Sequence, residues 1–400
     1  MFERAIVRRQ FLKKLGFAGA GVMLGSLLPA ARRALGSDER GSGLIVRNDW
    51  PEHWETSLAA LGRAWLTPND AFFVRSHFVP PSVDMATWRL EVSGRVRTPL
   101  SMSLAELRAM TPVEMVCVLE CAGNGRSAFA LPSTSGTQWG LGAVGNARWK
   151  GVRLASVLER AGLEPDAAHV WFECADAAPL PETPRFVRSI PLQKVADDVL
   201  LAWEMNGVPL PRRHGAPLRA IVPGWFGMAS AKWVTRIRIE TEPSDNHFMV
   251  RGYRYVYPGE DPASAPPVDE LRIKSVITRP REGEKLSIKK LSVGKPATGK
   301  QSVVKARIMG FAWAGSKGIK LVEISSDGGS TWQAAGFMGD TEPHSWRLWA
   351  TEVPIAAGKS VTVIARATDN AGQVQPAEAH PNAGGYGNNS MHRVTFRAVA

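Results

Sequence analysis

Cys121 closes an apolar run and opens a turn, in Val118-Leu119-Glu120-Cys121-Ala122-Gly123-Asn124-Gly125-Arg126. A thiol delivered by a strand into a Gly-Asn turn, with an arginine five residues on, can ligate a soft metal beside an anion pocket. The same thiol could be a nucleophile if His77 or His214 served as its base, or a packed core residue. The other two cysteines, Cys117 and Cys174, lie inside apolar stretches and read as core. Three cysteines do not make a disulfide framework, and without a Cys-x-x-Cys pair they do not suggest zinc. The absence of Cys-x-x-Cys-His argues that the chain carries no c-type haem.

Other residues could face an anion. Arg75 and His77 are two apart after Phe72-Phe73-Val74, so in a strand they share a face and offer two donors. Arg148-Trp149-Lys150-Gly151-Val152-Arg153 precedes the helical pattern at Leu154 and could form a phosphate cradle at a helix start. Arg212-Arg213-His214-Gly215-Ala216-Pro217-Leu218-Arg219 and Ser230-Ala231-Lys232-Trp233 interleave basic groups with glycine turns around a buried strand. Tyr253 stands between Arg251 and Arg254. Each group taken alone reads equally well as solvated charge or packing.

The elements that must hold these residues form a mixed α+β segment over about residues 45–257. Trp88 to Val96 alternates as a strand, and Ser103-Leu104-Ala105-Glu106 is a capping box that opens a short helix. Val113 to Leu119 is an apolar run, broken only by Glu114 and bounded by Pro112 and Gly123, and reads as a buried strand. Leu154, Val157, Leu158 and Ala161 make a helix face, and Asn206-Gly207 marks a hairpin. Ile237 and Ile239 alternate with Arg236 and Arg238 in a half-exposed strand. Residues 258–268 are rich in proline and read as an interdomain linker. Beyond them the helical period is lost and short strands recur: Leu271 to Ile277, Ser302 to Phe311, Ile319 to Ser325, Ser345 to Val353, Ser360 to Ala367 and Met391 to Val399. Residues 269–400 therefore read as an all-β, immunoglobulin-like sandwich.

The composition is that of a globular chain of two or three domains, 400 residues long, 44% hydrophobic and 22% charged. The net charge of +12 does not point to nucleic acid. Residues 1–36 hold seven Lys/Arg against Glu3 alone, and the remaining excess has no basic run. Arg8-Arg9-Gln10-Phe11-Leu12, followed by the apolar stretch Leu15 to Ala30, resembles a twin-arginine export signal, which carries proteins out of the cytoplasm already folded.

Taken in order, these segments resemble the sulfite oxidase family of molybdopterin oxidoreductases across nearly the whole mature chain. The resemblance rests on Arg75-Ser76-His77, Cys121 to Asn124, Gly142-Ala143 with Ala147 to Gly151, His214 to Arg219, and Lys232-Trp233. It implies a molybdopterin-binding domain followed by an immunoglobulin-like dimerisation domain, and the molybdenum–molybdopterin cofactor (Moco) in place of haem. Cys121 is then the thiolate ligand to molybdenum. Arg75, His77, Arg148, His214, Arg219, Ser230 and Lys232 hold the pterin and its phosphate, with Asp176 a further contact. Arg75, Arg126, Trp139 and Tyr253 line the substrate pocket. The expected activity is periplasmic oxidation of sulfite to sulfate by a homodimer, with electrons leaving to a separate c-type cytochrome. Alternatives are a sulfane dehydrogenase or an S-oxide reductase of the same family and, from another class, an exported binding protein without catalysis. The sequence departs from the family at three places. Ser76 stands for asparagine, Gly125 for arginine, and Gly384 occupies the place of an arginine that the family sends into the pocket.

Overall fold

A computed structural model describes residues 43–129, 134–178, 180, 182–287, 292–293 and 303–399. The leader at 1–36 lies outside the described residues.

The part that carries the site is built on two five-stranded sheets. In the first, strands run in the order Val208–Pro209, Leu200–Met205, Val144–Arg153, Val113–Glu120, with Arg219–Ile221 also paired to Leu200–Met205. In the second the order is Leu100–Met102, Leu90–Gly94, Val234–Glu240, His169–Cys174, Val187–Pro191. A small sheet of Leu44–Asn48, His53–Thr56 and Val74–Arg75 stands beside them. Among the described residues the helices are short, the longest being Leu154–Ala161, whose buried Leu154, Val157, Leu158 and Ala161 follow the expected spacing. This is the α+β class expected, with strands dominant.

Local chemistry accounts for the elements. Ser103 Oγ accepts the Glu106 N–H at 3.2 Å and Glu106 Oε2 accepts the Ser103 N–H at 2.7 Å, which closes the capping box at the start of Leu104–Arg108. The hairpin after Met205 turns on Asn206 and Gly207, with φ of 52° and 79°, the left-handed pair that a two-residue turn requires. Ile237 and Ile239 are buried while Arg236 and Arg238 face outward, as alternation demands, and a register shift between Val234 and Arg236 lets Val234 be buried too. Cys117 and Cys174 are core residues; burial pushes the Cys117 thiol up to about 12 and holds Cys174 well above its ordinary value.

Lys274 to Val399 forms two further sheets around a separate apolar core. One contains Lys274–Arg279, Val303–Trp313, Arg347–Ala356 and Gly336–Met338; the other contains Lys285–Ser287, His392–Val399, Ser360–Asp369, Ile319–Ser325 and Gln333–Ala334. Ile308, Val322, Trp349, Val363 and Phe396, from both sheets, are fully or almost fully buried between them. The strand expected from Leu271 begins at Lys274 instead, because Leu271 N–H is taken by the Gly224 carbonyl.

The proline-rich stretch does not hang free as a linker. Tyr255 N–H donates to Pro266 O at 2.9 Å, Val268 N–H donates to Tyr253 O at 2.8 Å, and Val268 is fully buried. The second part also completes the core of the first. Phe311, Trp313 and Trp346 join one continuous cluster with Leu90, Phe172 and Ile237. Trp65 and Trp346 exchange bonds, each indole N–H reaching the other's carbonyl, at 3.2 and 2.9 Å. Val113–Glu120 is last in its sheet, yet its outer edge is covered where Val118 N–H donates to His344 O at 3.0 Å.

Candidate active site

Strand ends from both large sheets converge on a cavity of about 730 Å³, counting its solvent-open mouth. Cys121 enters it as the first residue beyond Val113–Glu120, half-buried, its N–H held by Ala143 O at 2.9 Å. Arg75 and His77 enter from the end of Val74–Arg75, which pairs with His53. Asp176 follows His169–Cys174, Arg219 opens the strand Arg219–Ile221, and Ser230 and Lys232 come from the connection between that strand and Val234–Glu240. Tyr253 arrives in a left-handed conformation, φ 57°, after the short helix His247–Val250.

Two of the cations, Arg219 and Lys232, are held by backbone carbonyls and a hydroxyl rather than by carboxylates. Arg219 is buried, donates to His214 O at 2.8 Å and Ser230 O at 3.0 Å, and lies 4.9 Å from the Trp149 ring centre. Burial presses it down to about 9, so it stays charged at neutral pH. Lys232 Nζ donates to Ser76 Oγ and Arg213 O, both at 2.9 Å, and sits 4.1 Å from the Trp233 ring centre. Burial, then the charge of Arg219, lowers Lys232 to about 7. Although the ammonium is deeply set, the residue as a whole is half-buried, because the cavity opens beside it.

Two buried atoms on residues that line the cavity lack partners among the described residues: Arg75 Nη1 and Asp176 Oδ1. An orphaned donor and acceptor facing one cavity are what a polar, anionic ligand would satisfy. Asp176 is raised to about 6, chiefly by burial. The histidines are kept neutral by burial and by the surrounding cations. His214 falls to about 3, so its Nε2–H donates to Asn69 O at 3.2 Å. His53 falls to about 4, donating to Ser76 O at 2.9 Å and accepting from Thr137 Oγ1 at 2.6 Å. His77, well below its usual value, stacks on Phe186 at 4.2 Å and is hydrogen-bonded through Nε2 to the Tyr253 hydroxyl at 2.9 Å.

Most of the expected residues therefore meet: Arg75, His77, Cys121, Asp176, His214, Arg219, Ser230, Lys232 and Tyr253 line one cavity. Arg126 and Trp139 stand behind it. Arg126 Nε donates to Gly384 O at 3.0 Å and Nη1 to Thr137 O at 2.9 Å; Trp139 is buried 5.8 Å from the His53 ring. Arg148 is not brought to the cavity. It lies within the strand Val144–Arg153, where alternation turns Ala147 and Trp149 toward the core shared with Phe72 and sends Arg148 to the other face.

Residues not singled out from sequence also contribute. Arg213 lines the cavity while paired with Glu52 at 2.9 Å. Arg188 is buried with its guanidinium 5.3 Å from the Tyr253 ring. Tyr386 stacks on Tyr253 at 5.3 Å, and Arg126 lies 5.3 Å from the Tyr386 ring. A Cβ on Gly384 would fall 2.2 Å from the Tyr386 ring, so that ring fills the space a side chain at 384 would need. Among the described residues no three His, Cys, Asp or Glu side chains are placed to hold a metal ion together. A metal at Cys121 must bring most of its ligands with it.

Residues 77–248 match the model of the oxidoreductase molybdopterin binding domain, and residues 265–399 match that of the Mo-co oxidoreductase dimerisation domain. The mitochondrial sulfite oxidase of Homo sapiens is 36% identical over 375 residues, covering 89% of this chain and 66% of its own length. The chain thus spans just under two thirds of that relative. Sulfite oxidase of Gallus gallus is 36% identical over 86% of this chain and 76% of its own, and that of Arabidopsis thaliana 32% identical over 90% and 95%. The crystal structure of the sulfane dehydrogenase SoxCD from Paracoccus pantotrophus is similar with a TM-score of 0.74 at 27% identity, over 94% of this chain and 92% of that one.

Proposed function

This chain belongs to the sulfite oxidase family of molybdopterin-binding oxidoreductases, and from that we propose that it is an enzyme oxidising sulfite, or a related sulfur oxyanion, to sulfate. The observation that carries the reading is the cavity itself: Arg219 and Lys232 held by carbonyls and a hydroxyl rather than by carboxylates, an orphaned Arg75 Nη1 and a thiol at one wall.

The donor set fits the cofactor. Arg219, Lys232 and Ser230 would hold the phosphate of the pterin, since Arg219 and Lys232 are already oriented by backbone carbonyls. Asp176 Oδ1 and the neutral His214 suit the amide-like edge of a pterin. Cys121 would supply the protein's thiolate to molybdenum. When bound, the cofactor supplies two-electron oxidation with transfer of an oxygen atom that water ultimately provides.

The remaining steps fall to the chain's own residues. Arg75 attracts the substrate anion and offers Nη1 to one of its oxygens. The Tyr253 hydroxyl, raised to about 12 by burial, stays protonated, and with His77 as the Nε2–H tautomer it accepts from His77 and can donate its own proton to a second oxygen. Phe186 and Met228 keep that wall apolar, which strengthens each polar contact. Arg126, held by two carbonyls, adds charge from behind without touching the cavity. Electrons leave to a separate acceptor, a c-type cytochrome being the candidate. The leader supports export of the folded protein to the periplasm, and the second domain supports a homodimer.

A second reading, a sulfane dehydrogenase, is favoured by Gly384: an arginine is absent from the substrate side and Tyr386 occupies its space. Cytochrome c reduction by purified, molybdenum-loaded protein, with sulfite and thiosulfate in parallel, separates the two. Turnover with neither, at full molybdenum content, sinks both.

A further inference from the structure

Glu120, the residue before Cys121, is a buried carboxylate with 1% exposure, and every partner it has is fixed. Its Oε1 accepts from Lys274 Nζ at 2.6 Å and Asn124 Nδ2 at 3.0 Å; its Oε2 accepts from Trp313 Nε1 at 2.8 Å. Lys274 and Trp313 belong to the C-terminal sandwich, whereas Asn124 is the last residue of the Cys-Ala-Gly-Asn turn. The contacts continue as a ring. Asn124 Oδ1 accepts the Ala143 N–H at 3.1 Å, and Ala143 O accepts the Cys121 N–H at 2.9 Å. Glu120 O accepts the N–H of Gly227, a residue of the cavity wall, at 2.7 Å.

We propose that Glu120 is a positioning residue through which the C-terminal sandwich sets the place and angle of the Cys121 thiolate. The inference rests on the reading of Cys121 as the molybdenum ligand. A charged pair so fully desolvated needs all its hydrogen bonds to be tolerated, and an apolar pair of similar volume would hold two domains together as well. What an apolar pair would not do is accept from Asn124 and so hold the turn in one conformation. Partners that orient a metal's ligand govern the metal's behaviour without touching it. The sandwich is thereby part of the site, beyond any role in dimer formation.

The test uses the molybdenum-loaded full chain and the variants Glu120→Gln, Lys274→Met, their double, and Trp313→Phe. The readouts are molybdenum per chain, the thiolate-to-molybdenum charge-transfer absorption, kcat and KM. We expect each single change at 120 or 274 to shift the absorption and lower kcat about 10- to 100-fold, with KM moving far less. The double recovers part of that loss, since no buried charge is left without its partner. Trp313→Phe leaves both members of the buried charged pair in place, keeping an aromatic ring in the core while removing one hydrogen bond to Glu120 and part of the indole, and it shows the same shift in smaller degree. Loaded Trp313→Phe and Glu120→Gln with wild-type absorption and kcat would overturn the inference alone. Wild-type protein that takes up no molybdenum would overturn it together with the functional reading.

Discussion

Lys232 offers the sharpest test of whether the cavity is built around an anion. In cofactor-free protein, burial and the charges of Arg219 and Arg75 outweigh the carboxylates of Asp176 and Glu52, and its ammonium is lowered from 10.5 to about 7. The sign follows from where protons bind. Above pH 10.5 the lysine is neutral in both folded and unfolded chains. As pH falls below that, the unfolded chain takes up a proton that the folded chain refuses until about pH 7, so stability is lost across this window. The full cost is about 5 kcal/mol as an upper limit, reduced by water reaching the open side of the cavity. Between pH 7 and pH 9 the cofactor-free wild type should therefore gain about 2 kcal/mol relative to Lys232→Met, which has no proton to exclude. Urea unfolding of both proteins at the two pH values measures this difference, and the hydrogen bonds lost in the variant cancel in it. With the cofactor's phosphate bound, the ammonium has its counter-charge and the gain should vanish. Lys232→Met should also lose molybdenum on gel filtration. A difference that stays flat between pH 7 and 9, or a variant that keeps its molybdenum, would refute the assignment of Lys232 to an anion site.

Cys121→Ser should abolish turnover while circular dichroism and the unfolding midpoint stay at wild-type values; undiminished activity would remove Cys121 from the metal. Gly384→Arg alone should force Tyr386 out of its stack on Tyr253, because a Cβ there meets the ring at 2.2 Å. Combined with Tyr386→Ala, it should lower KM for sulfite about 10-fold or more relative to Tyr386→Ala, the worth of one charge-assisted hydrogen bond; an unchanged KM means that position 384 does not face substrate. Trp346→Ala, at a fully buried indole that binds the Trp65 carbonyl, should cost about 3–5 kcal/mol in urea titration, and a loss under about 1 kcal/mol would contradict a core shared by the two domains.

Much of this site could be read before any coordinates, for a definite reason. Arg75, His77, Cys121, His214 and Lys232 lie at strand ends and turns, where apolar periodicity stops and residue type alone marks the chemistry. Arg148 to Arg153 read as a cradle before the helix at Leu154, but Gly145 and Gly151 do not mark a loop there. In the structure they are strand positions of close approach: a Cβ at 151 would sit 1.9 Å from Leu201 O, and one at 145 would sit 2.4 Å from the Phe72 ring. Once the strand runs through to Arg153, parity alone sends Arg148 away. Arg213 differs from Arg212 only by which carbonyls and carboxylates surround each; Arg212 is held by Pro80 and Pro81 carbonyls, Arg213 by Glu52. Tyr386 and Glu120 gain their roles from partners more than a hundred residues away, which no local pattern encodes.

The covering of Val113–Glu120 by His344 has a consequence for the order of synthesis. An apolar strand at the end of a sheet is a template for pairing with another chain. Here the segment that covers it is made more than two hundred residues later. Until residue 344 has emerged, the strand that leads to Cys121 presents a bare apolar edge, and chains stopped short of that point would be expected to aggregate rather than persist as a smaller enzyme. The half of the molecule farthest from the thiol in sequence is also its guard during biogenesis.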